Sequence, residues 1–154
     1  MSRVLIALLV LAAASTPQLA AKKARKPPTL AVEVTQRPSP ARPGESVEVD
    51  VAVRPPEGIV LNRFPGLTLE LEKIDGLTTD QPSAFAGSRE PIEDASQAYF
   101  KKPEPLTFRF VPERSGRSER KARGTLKFFY CVKASGFCAP GKQQVSVPVK
   151  VSAR

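Results

Sequence analysis

Apolar residues alternate with polar ones along much of this chain, and this alternation limits what the chain can fold into. Val47, Val49, Val51 and Val53 are each separated by one residue, so they share one face of an extended strand. The same period of two recurs over residues 30–34, 67–71, 106–110 and 144–151. An α-helix would spread such residues around its circumference, and the 16 prolines also disfavour long helices. The pattern therefore predicts half-buried β-strands.

Residues 59–62 and 124–131 add two apolar runs, so about seven short strands are expected in all. Short strands separated by turn-rich segments are typical of an antiparallel β-sandwich. We therefore predict an all-β, immunoglobulin-like antiparallel β-sandwich, formed by a single domain over residues 30–154.

Two features refine this prediction. Residues 78–104 have little periodicity, which predicts a long loop with one short strand near residues 98–100. Loops of this length inside a compact domain are often functional.

Pro148 interrupts the last strand and has no N–H to offer a neighbour, so that strand is predicted to lie at a sheet edge.

The first 21 residues have the features of a secretory signal peptide. Arg3 precedes an apolar run over residues 4–14, and Ala20 and Ala21 are the favoured cleavage positions. The run is shorter than the roughly 20 residues that a membrane-spanning helix needs. We therefore expect a mature chain without an integral membrane segment, exported to the periplasm, where disulfides persist. Residues 22–29 then form a basic, proline-flanked leader.

Charge and composition exclude several classes of function. The formal net charge is +9, and many basic residues lie in the leader or over residues 113–123, which are predicted to form a solvated loop between strands. No aromatic residues are interleaved with those basic ones, so we expect no nucleic-acid partner. The chain has no histidine, which excludes Ser-His-Asp triads and imidazole zinc sites. Two cysteines cannot fill a four-thiolate cage, and we predict neither a metal site nor a cofactor.

The two cysteines are the most informative residues for chemistry. Cys131 ends one predicted strand and Cys138 begins the next, so a hairpin would place them opposite each other. Facing residues in such a pair are close enough for a disulfide, which we expect in an oxidising compartment. One interpretation is a purely structural disulfide, which for so short a loop would add roughly 2.5 kcal/mol to the free energy of unfolding. The other is a pair that exchanges with external thiols, because a hairpin near the surface is easy to reach.

The sequence around the cysteines resembles a known family. Phe129-Tyr130-Cys131 leads into Gly136-Phe137-Cys138, followed by Pro140 and the alternating valine strand. This arrangement is similar to the amino-terminal periplasmic domain of the thiol:disulfide interchange protein DsbD. Upstream, Leu61-Asn62 and Pro65 resemble that family more weakly. The spacing between the cysteines is one residue longer than is common there, and a histidine often found near the asparagine is absent.

The resemblance implies an immunoglobulin-like module that relays reducing equivalents through Cys131 and Cys138. Cys138, after Gly136 and Phe137, would be the more exposed thiol. In the family a membrane-embedded protein reduces the pair, which then reduces other periplasmic disulfide proteins. Neither a membrane channel nor a thioredoxin-like domain occurs in these 154 residues, so that reductant would act in trans. The family also covers its cysteines with a cap segment, for which Phe85 or the Tyr99-Phe100 pair is the candidate.

Neighbouring residues have interpretations that remain open. Lys133 and Lys142 either favour a thiolate or are ordinary solvent-facing residues of a hairpin. Tyr130 either shields the sulfurs or packs in the core, and Phe137 either shields them or caps the turn. Gly136 is expected to supply a positive φ.

The whole chain also has alternative interpretations. It is either a thiol-disulfide oxidoreductase module or a non-catalytic binding or structural sandwich with a purely structural disulfide. A hydrolase using Glu90, Glu93 and Asp94 is the least favoured class, because these carboxylates lie in an ordinary polar loop.

Overall fold

A computed structural model describes residues 26–114 and 118–152 of the chain. The predicted signal peptide at residues 1–21 and the first four residues of the leader lie outside these ranges. Within them, the secondary structure consists of strands and one 3-10 turn at Ala95–Gln97. No helix in the described part of the chain is long and apolar enough to cross a membrane.

The strands are formed by the segments that alternate between apolar and polar residues. Their bounds are β1 Ala31–Arg37, β2 Val47–Arg54, β3 Ile59–Leu61, β4 Leu67–Asp75, β5 Leu77–Thr78, β6 Ser83–Ala86, β7 Leu106–Pro112, β8 Glu119–Val132 and β9 Phe137–Lys150. The seven strands predicted from apolar runs all appear in this set, and the two that carry the cysteines are longer than predicted.

The strands form two antiparallel sheets. The first has the order β1-β2-β7-β5. In the second, β8 pairs with β9 along one side and with both β3 and β4 along the other, and β4 continues to β6. The buried faces of the two sheets meet in one core, where the valines of β2 and Phe108 of β7 join Leu69 of β4 and Leu126 of β8. The fold is therefore the predicted immunoglobulin-like antiparallel β-sandwich.

The prediction that residues 113–123 form a solvated loop was wrong for its second half. Residues 119–123 are the first part of β8. Arg120 faces inward and is only 6% exposed, and its guanidinium donates to the backbone carbonyls of Gly76 and Glu113 over 2.8 and 3.1 Å. Backbone acceptors satisfy this buried cation, so the strand tolerates it. Arg117 of the predicted loop lies outside the described residues.

The predicted loop over residues 78–104 is more ordered than expected. Ser83–Ala86 forms β6, which pairs with β4 and was not predicted. The short strand predicted near residues 98–100 is present as a single bridge between Tyr99 and Asn62. Two backbone hydrogen bonds flank the bridge, from Arg63 N–H to the Ala98 carbonyl and from Phe100 N–H to the Leu61 carbonyl, at 2.8 and 2.9 Å.

The position of β9 agrees with the prediction made from Pro148. Among the described strands, β9 pairs only with β8, so it forms an edge of the second sheet. A proline is tolerated on such a strand because the missing N–H does not leave a neighbouring strand unpaired.

Candidate functional site

A disulfide joins Cys131 and Cys138 near the tip of the β8–β9 hairpin. The two residues are direct partners in the antiparallel register, with their Cα atoms 4.0 Å apart. Residues 133–136 form the turn between the strands, which Gly136 closes with a φ of +66°. Its N–H donates to the Val132 carbonyl over 2.8 Å. The predicted hairpin, disulfide and positive φ are all confirmed.

The two cysteines differ strongly in exposure. Cys131 is 4% exposed, whereas Cys138 is exposed to solvent. Cys131 lies on β8, which has a neighbouring strand on each side, and Cys138 lies on the edge strand β9. The prediction that Cys138 is the more exposed cysteine is confirmed, and its physical reason is the position of the two strands in the sheet.

The disulfide lies on the outer face of the second sheet. Side chains alternate along a strand, and in β8 Leu126, Phe128 and Tyr130 point into the core. Cys131 therefore points away from the core. Val60, its cross-strand partner in β3, lies on the same outer face.

The aromatic and proline residues beside the cysteines take different positions. Tyr130 is buried in the core and packs near Phe128 and Phe137, with ring centroids 6.0 and 6.5 Å away. This is the core position that the sequence left open as the alternative to shielding. Phe137 is 39% exposed and meets the Tyr130 ring edge-on. Pro140 is exposed on β9, directly across from Phe129 of β8.

Two polar side chains from outside the hairpin contact the buried sulfur. The side-chain oxygen Oδ1 of Asn62 lies 3.4 Å from Cys131 Sγ, and the Tyr99 hydroxyl lies 3.9 Å from it. A disulfide sulfur has no hydrogen to donate, so the Tyr99 hydroxyl is the donor in this group. Asn62 follows β3, and the bridge to Tyr99 places both side chains on the outer face that carries Cys131.

Of the cap candidates, Tyr99 is the residue that reaches the sulfur. Phe100, next in the chain, packs against the core. Phe85 lies on β6, where the Arg89 guanidinium covers its ring at 4.5 Å from the ring centroid. Asn62 entered the sequence analysis only as part of the resemblance, and its contact with Cys131 was not predicted.

The lysines near the cysteines are solvent-facing. Lys133 is exposed in the turn, where its backbone N–H donates to the Gly58 carbonyl. Lys142 is exposed on β9, four residues beyond Cys138, which corresponds to about 13 Å along a strand.

An open depression of about 630 Å³ has Tyr99, the residue that contacts the Cys131 sulfur, in its wall. Its charged lining residues are Arg63, Lys101, Lys102 and Glu104. Three cations against one carboxylate make the lining beside Tyr99 net positive.

The carboxylates of the hydrolase alternative, Glu90, Glu93 and Asp94, do not form a catalytic arrangement with the disulfide. Glu90, Glu93 and Asp94 are exposed. Asp94 caps the 3-10 turn, where its carboxylate accepts hydrogen bonds from Ser96 N–H and the Gln97 side chain at 2.9 and 3.0 Å. Hydrogen bonds from Ser96 and then Gln97 lower the pKa of Asp94 from its ordinary value. Over residues 26–114 and 118–152, no three acidic or sulfur ligands cluster as a metal site would require.

No family model and no curated protein matches the sequence. Among solved structures, the chain is similar to a cohesin module from a Clostridium perfringens family 33 glycoside hydrolase, at 12% identity and a TM-score of 0.42. The match covers 80% of this chain and 98% of that module. A likeness of this degree carries no information about function.

Proposed function

We propose that this protein is a periplasmic thiol–disulfide exchange module. It relays reducing equivalents through Cys131 and Cys138, from a dithiol reductant to proteins with disulfides to be reduced. The observation that carries the proposal is the asymmetry of the pair, in which an exposed Cys138 is bonded to a buried Cys131. An exchange centre needs one sulfur that a partner can attack and a second that is held in place to leave and return.

A partner with two thiols supplies the two electrons that reduce the Cys131–Cys138 disulfide. A partner thiolate attacks Cys138 Sγ, a bond forms between these two sulfurs, and the Cys131–Cys138 bond breaks. The electron pair remains on Cys131 Sγ as a thiolate, which takes up a proton. The partner protein's second thiol, as a thiolate, then attacks the partner sulfur that is bonded to Cys138. A disulfide forms within the partner, and Cys138 leaves as a thiolate that takes up a proton. The partner is oxidised to a disulfide, and Cys131 and Cys138 are reduced to thiols.

A purely structural role is less well supported. The disulfide links two strands that already pair along their whole length, so it adds little to the topology of the sheet. Disulfides that must resist reduction gain from burial, whereas Cys138 lies on an exposed edge. The short loop between the cysteines also limits the entropic stabilisation to roughly 2.5 kcal/mol.

Features of the sequence support the proposed compartment and partners. The signal-peptide features of residues 1–21 support export, and the disulfide fits an oxidising compartment. The resemblance to the amino-terminal domain of DsbD supports a membrane-embedded reductant in trans and disulfide-bonded periplasmic proteins as acceptors. The basic depression beside Tyr99 favours partners with acidic residues near their own cysteines.

The test is the reduction potential of the Cys131–Cys138 pair in the mature protein, equilibrated against glutathione buffers. We expect a value above about −300 mV and rapid reduction of the folded protein, as for exposed exchanging disulfides. The variant Cys131→Ser/Cys138→Ser gives the background signal. A lower potential, with reduction only after unfolding, would refute the exchange function and leave a structural sandwich.

A further inference from the structure

We propose that Tyr99 is a catalytic residue of the exchange reaction, whose hydroxyl donates a hydrogen bond to the Cys131 sulfur as that sulfur leaves. This inference rests on the proposed exchange function and assigns the group that receives the leaving charge. Asn62 has the complementary role, because its side-chain oxygen accepts the S–H of Cys131 once the thiol is protonated.

The leaving sulfur needs a donor because of where it lies. When the disulfide opens, a negative charge develops on Cys131, which is 4% exposed and faces Val60 across the strand pair. A thiolate at such a buried position is disfavoured unless a donor reaches it, since little water is present to solvate it. Thiol–disulfide exchange is faster when the leaving thiolate is stabilised, so a hydrogen-bond donor here acts directly on the rate.

Tyr99 is positioned to be that donor. Its hydroxyl is 3.9 Å from Cys131 Sγ, which is a long contact to the neutral sulfur of a disulfide. Hydrogen bonds to an ionised acceptor are shorter and about twice as strong as neutral ones. The Tyr99 backbone is held by the bridge to Asn62, whose own side chain contacts the same sulfur, and Tyr99 as a residue is 40% exposed.

Asn62 serves the other protonation state of the same sulfur. Its Oδ1 atom lies 3.4 Å from Cys131 Sγ, and a carbonyl oxygen is an acceptor, not a donor. It therefore stabilises the protonated thiol, whereas the Tyr99 hydroxyl stabilises the thiolate. The two contacts should shift the ionisation of Cys131 in opposite directions, which a merely structural role for either residue would not produce.

The test uses the full mature chain with Cys138→Ala, so that Cys131 is the single thiol. Its ionisation midpoint is followed by NMR of ¹³Cβ-labelled cysteine against pH, which tyrosine ionisation does not obscure. Tyr99→Phe should raise the midpoint by about one unit, because a hydrogen bond to the charged form is lost. Asn62→Ala should lower it by up to about half a unit, because the thiol loses its acceptor.

A matched control is Ser88→Ala, which removes a hydroxyl and its hydrogen bond to the Glu90 carbonyl from the same segment without touching the sulfur. We expect its midpoint to equal that of the Cys138→Ala parent. In the chain with both cysteines, Tyr99→Phe should slow reduction by dithiothreitol about fivefold, because the leaving thiolate is less stable.

The outcomes separate this inference from the proposed function. An unchanged midpoint in Tyr99→Phe would overturn the role of Tyr99, even where the wild-type disulfide exchanges readily. A higher ionisation midpoint in Asn62→Ala would overturn the role of Asn62. This measurement does not depend on the Tyr99→Phe variant, so it can be made even where that variant does not fold. A low reduction potential of the wild-type disulfide would refute the exchange function. The ionisation midpoints of Cys131 would still show whether Tyr99 contacts the sulfur.

Discussion

Cys131 and Cys138 share one disulfide, yet their surroundings give them different chemistry. Cys131 is on a strand with neighbours on both sides and has the Asn62 and Tyr99 side chains against its sulfur. Cys138 is on the edge strand and faces solvent. Thiol reactivity depends on access as well as on ionisation, so the two residues are suited to different steps of an exchange reaction.

This difference can be measured with single-cysteine variants of the folded protein. Cys131→Ala leaves Cys138 as the free thiol, and Cys138→Ala leaves Cys131. We expect Cys138 to react with Ellman's reagent at least about tenfold faster than Cys131, because the reagent reaches an exposed sulfur directly. In denaturant the two rates should converge, which controls for sequence effects. Equal rates in the native state would contradict the proposed division of roles.

At the scale of elements, the 3-10 turn at Ala95–Gln97 positions the segment that carries Tyr99. The Asp94 carboxylate caps this turn by accepting from Ser96 N–H, as an N-cap residue does. Backbone hydrogen bonds then fasten Ala98 and Phe100 to the chain beside β3. A short capped turn can thereby hold an exposed tyrosine next to a buried sulfur.

The cap gives the turn a defined pH dependence. Because hydrogen bonds lower the pKa of Asp94 in the folded state, its stabilising effect is present above the pKa of an unfolded aspartate. The effect is lost as the pH falls through the lowered folded value. We expect the Ser96 amide resonance to shift over this acidic range. Asp94→Asn, which keeps an acceptor oxygen but does not ionise, should abolish the shift, and a persisting shift would argue against the cap.

At the scale of the molecule, one core holds both sheets together. Phe108 and Phe110 of β7 are fully buried, with ring centroids 5.9 Å apart, in the same core as the inward residues of β4 and β8. The disulfide lies outside this core, on the outer face of the second sheet. The fold should therefore depend on the interior aromatics far more than on the partly exposed Phe137 of the hairpin tip.

A pair of substitutions tests this division. Phe108→Ala should lower the free energy of unfolding by about 3–5 kcal/mol, because it removes a fully buried ring and leaves a cavity. Phe137→Ala should cost about 1 kcal/mol, because its ring is partly exposed and meets the Tyr130 ring edge-on. Urea titrations monitored by circular dichroism measure both. Similar losses in the two variants would mean that the hairpin tip is part of the folding core.

Strands with one strongly apolar face were predictable, and strands without one were not. The valines of β2 and the phenylalanines of β7 show their burial directly in the period of two. The start of β8 was missed because its inward residues are Arg120 and Ala122, and the arginine becomes suitable for burial through tertiary contacts that include the carbonyls of Gly76 and Glu113. β6 was missed because Ala84 and Ala86 are too small to give a clear hydrophobic signal.

The sequence by itself determined the β-sandwich, the hairpin and the pairing of Cys131 with Cys138, because each depends on alternation or on residues close in the chain. Tertiary structure alone decided what surrounds the buried sulfur. Asn62 and Tyr99 are 69 and 32 residues from Cys131 in the chain, and strand pairing brings both to it. Local patterns encode which face of a strand is buried, but contacts between distant segments arise only when the sheet is assembled.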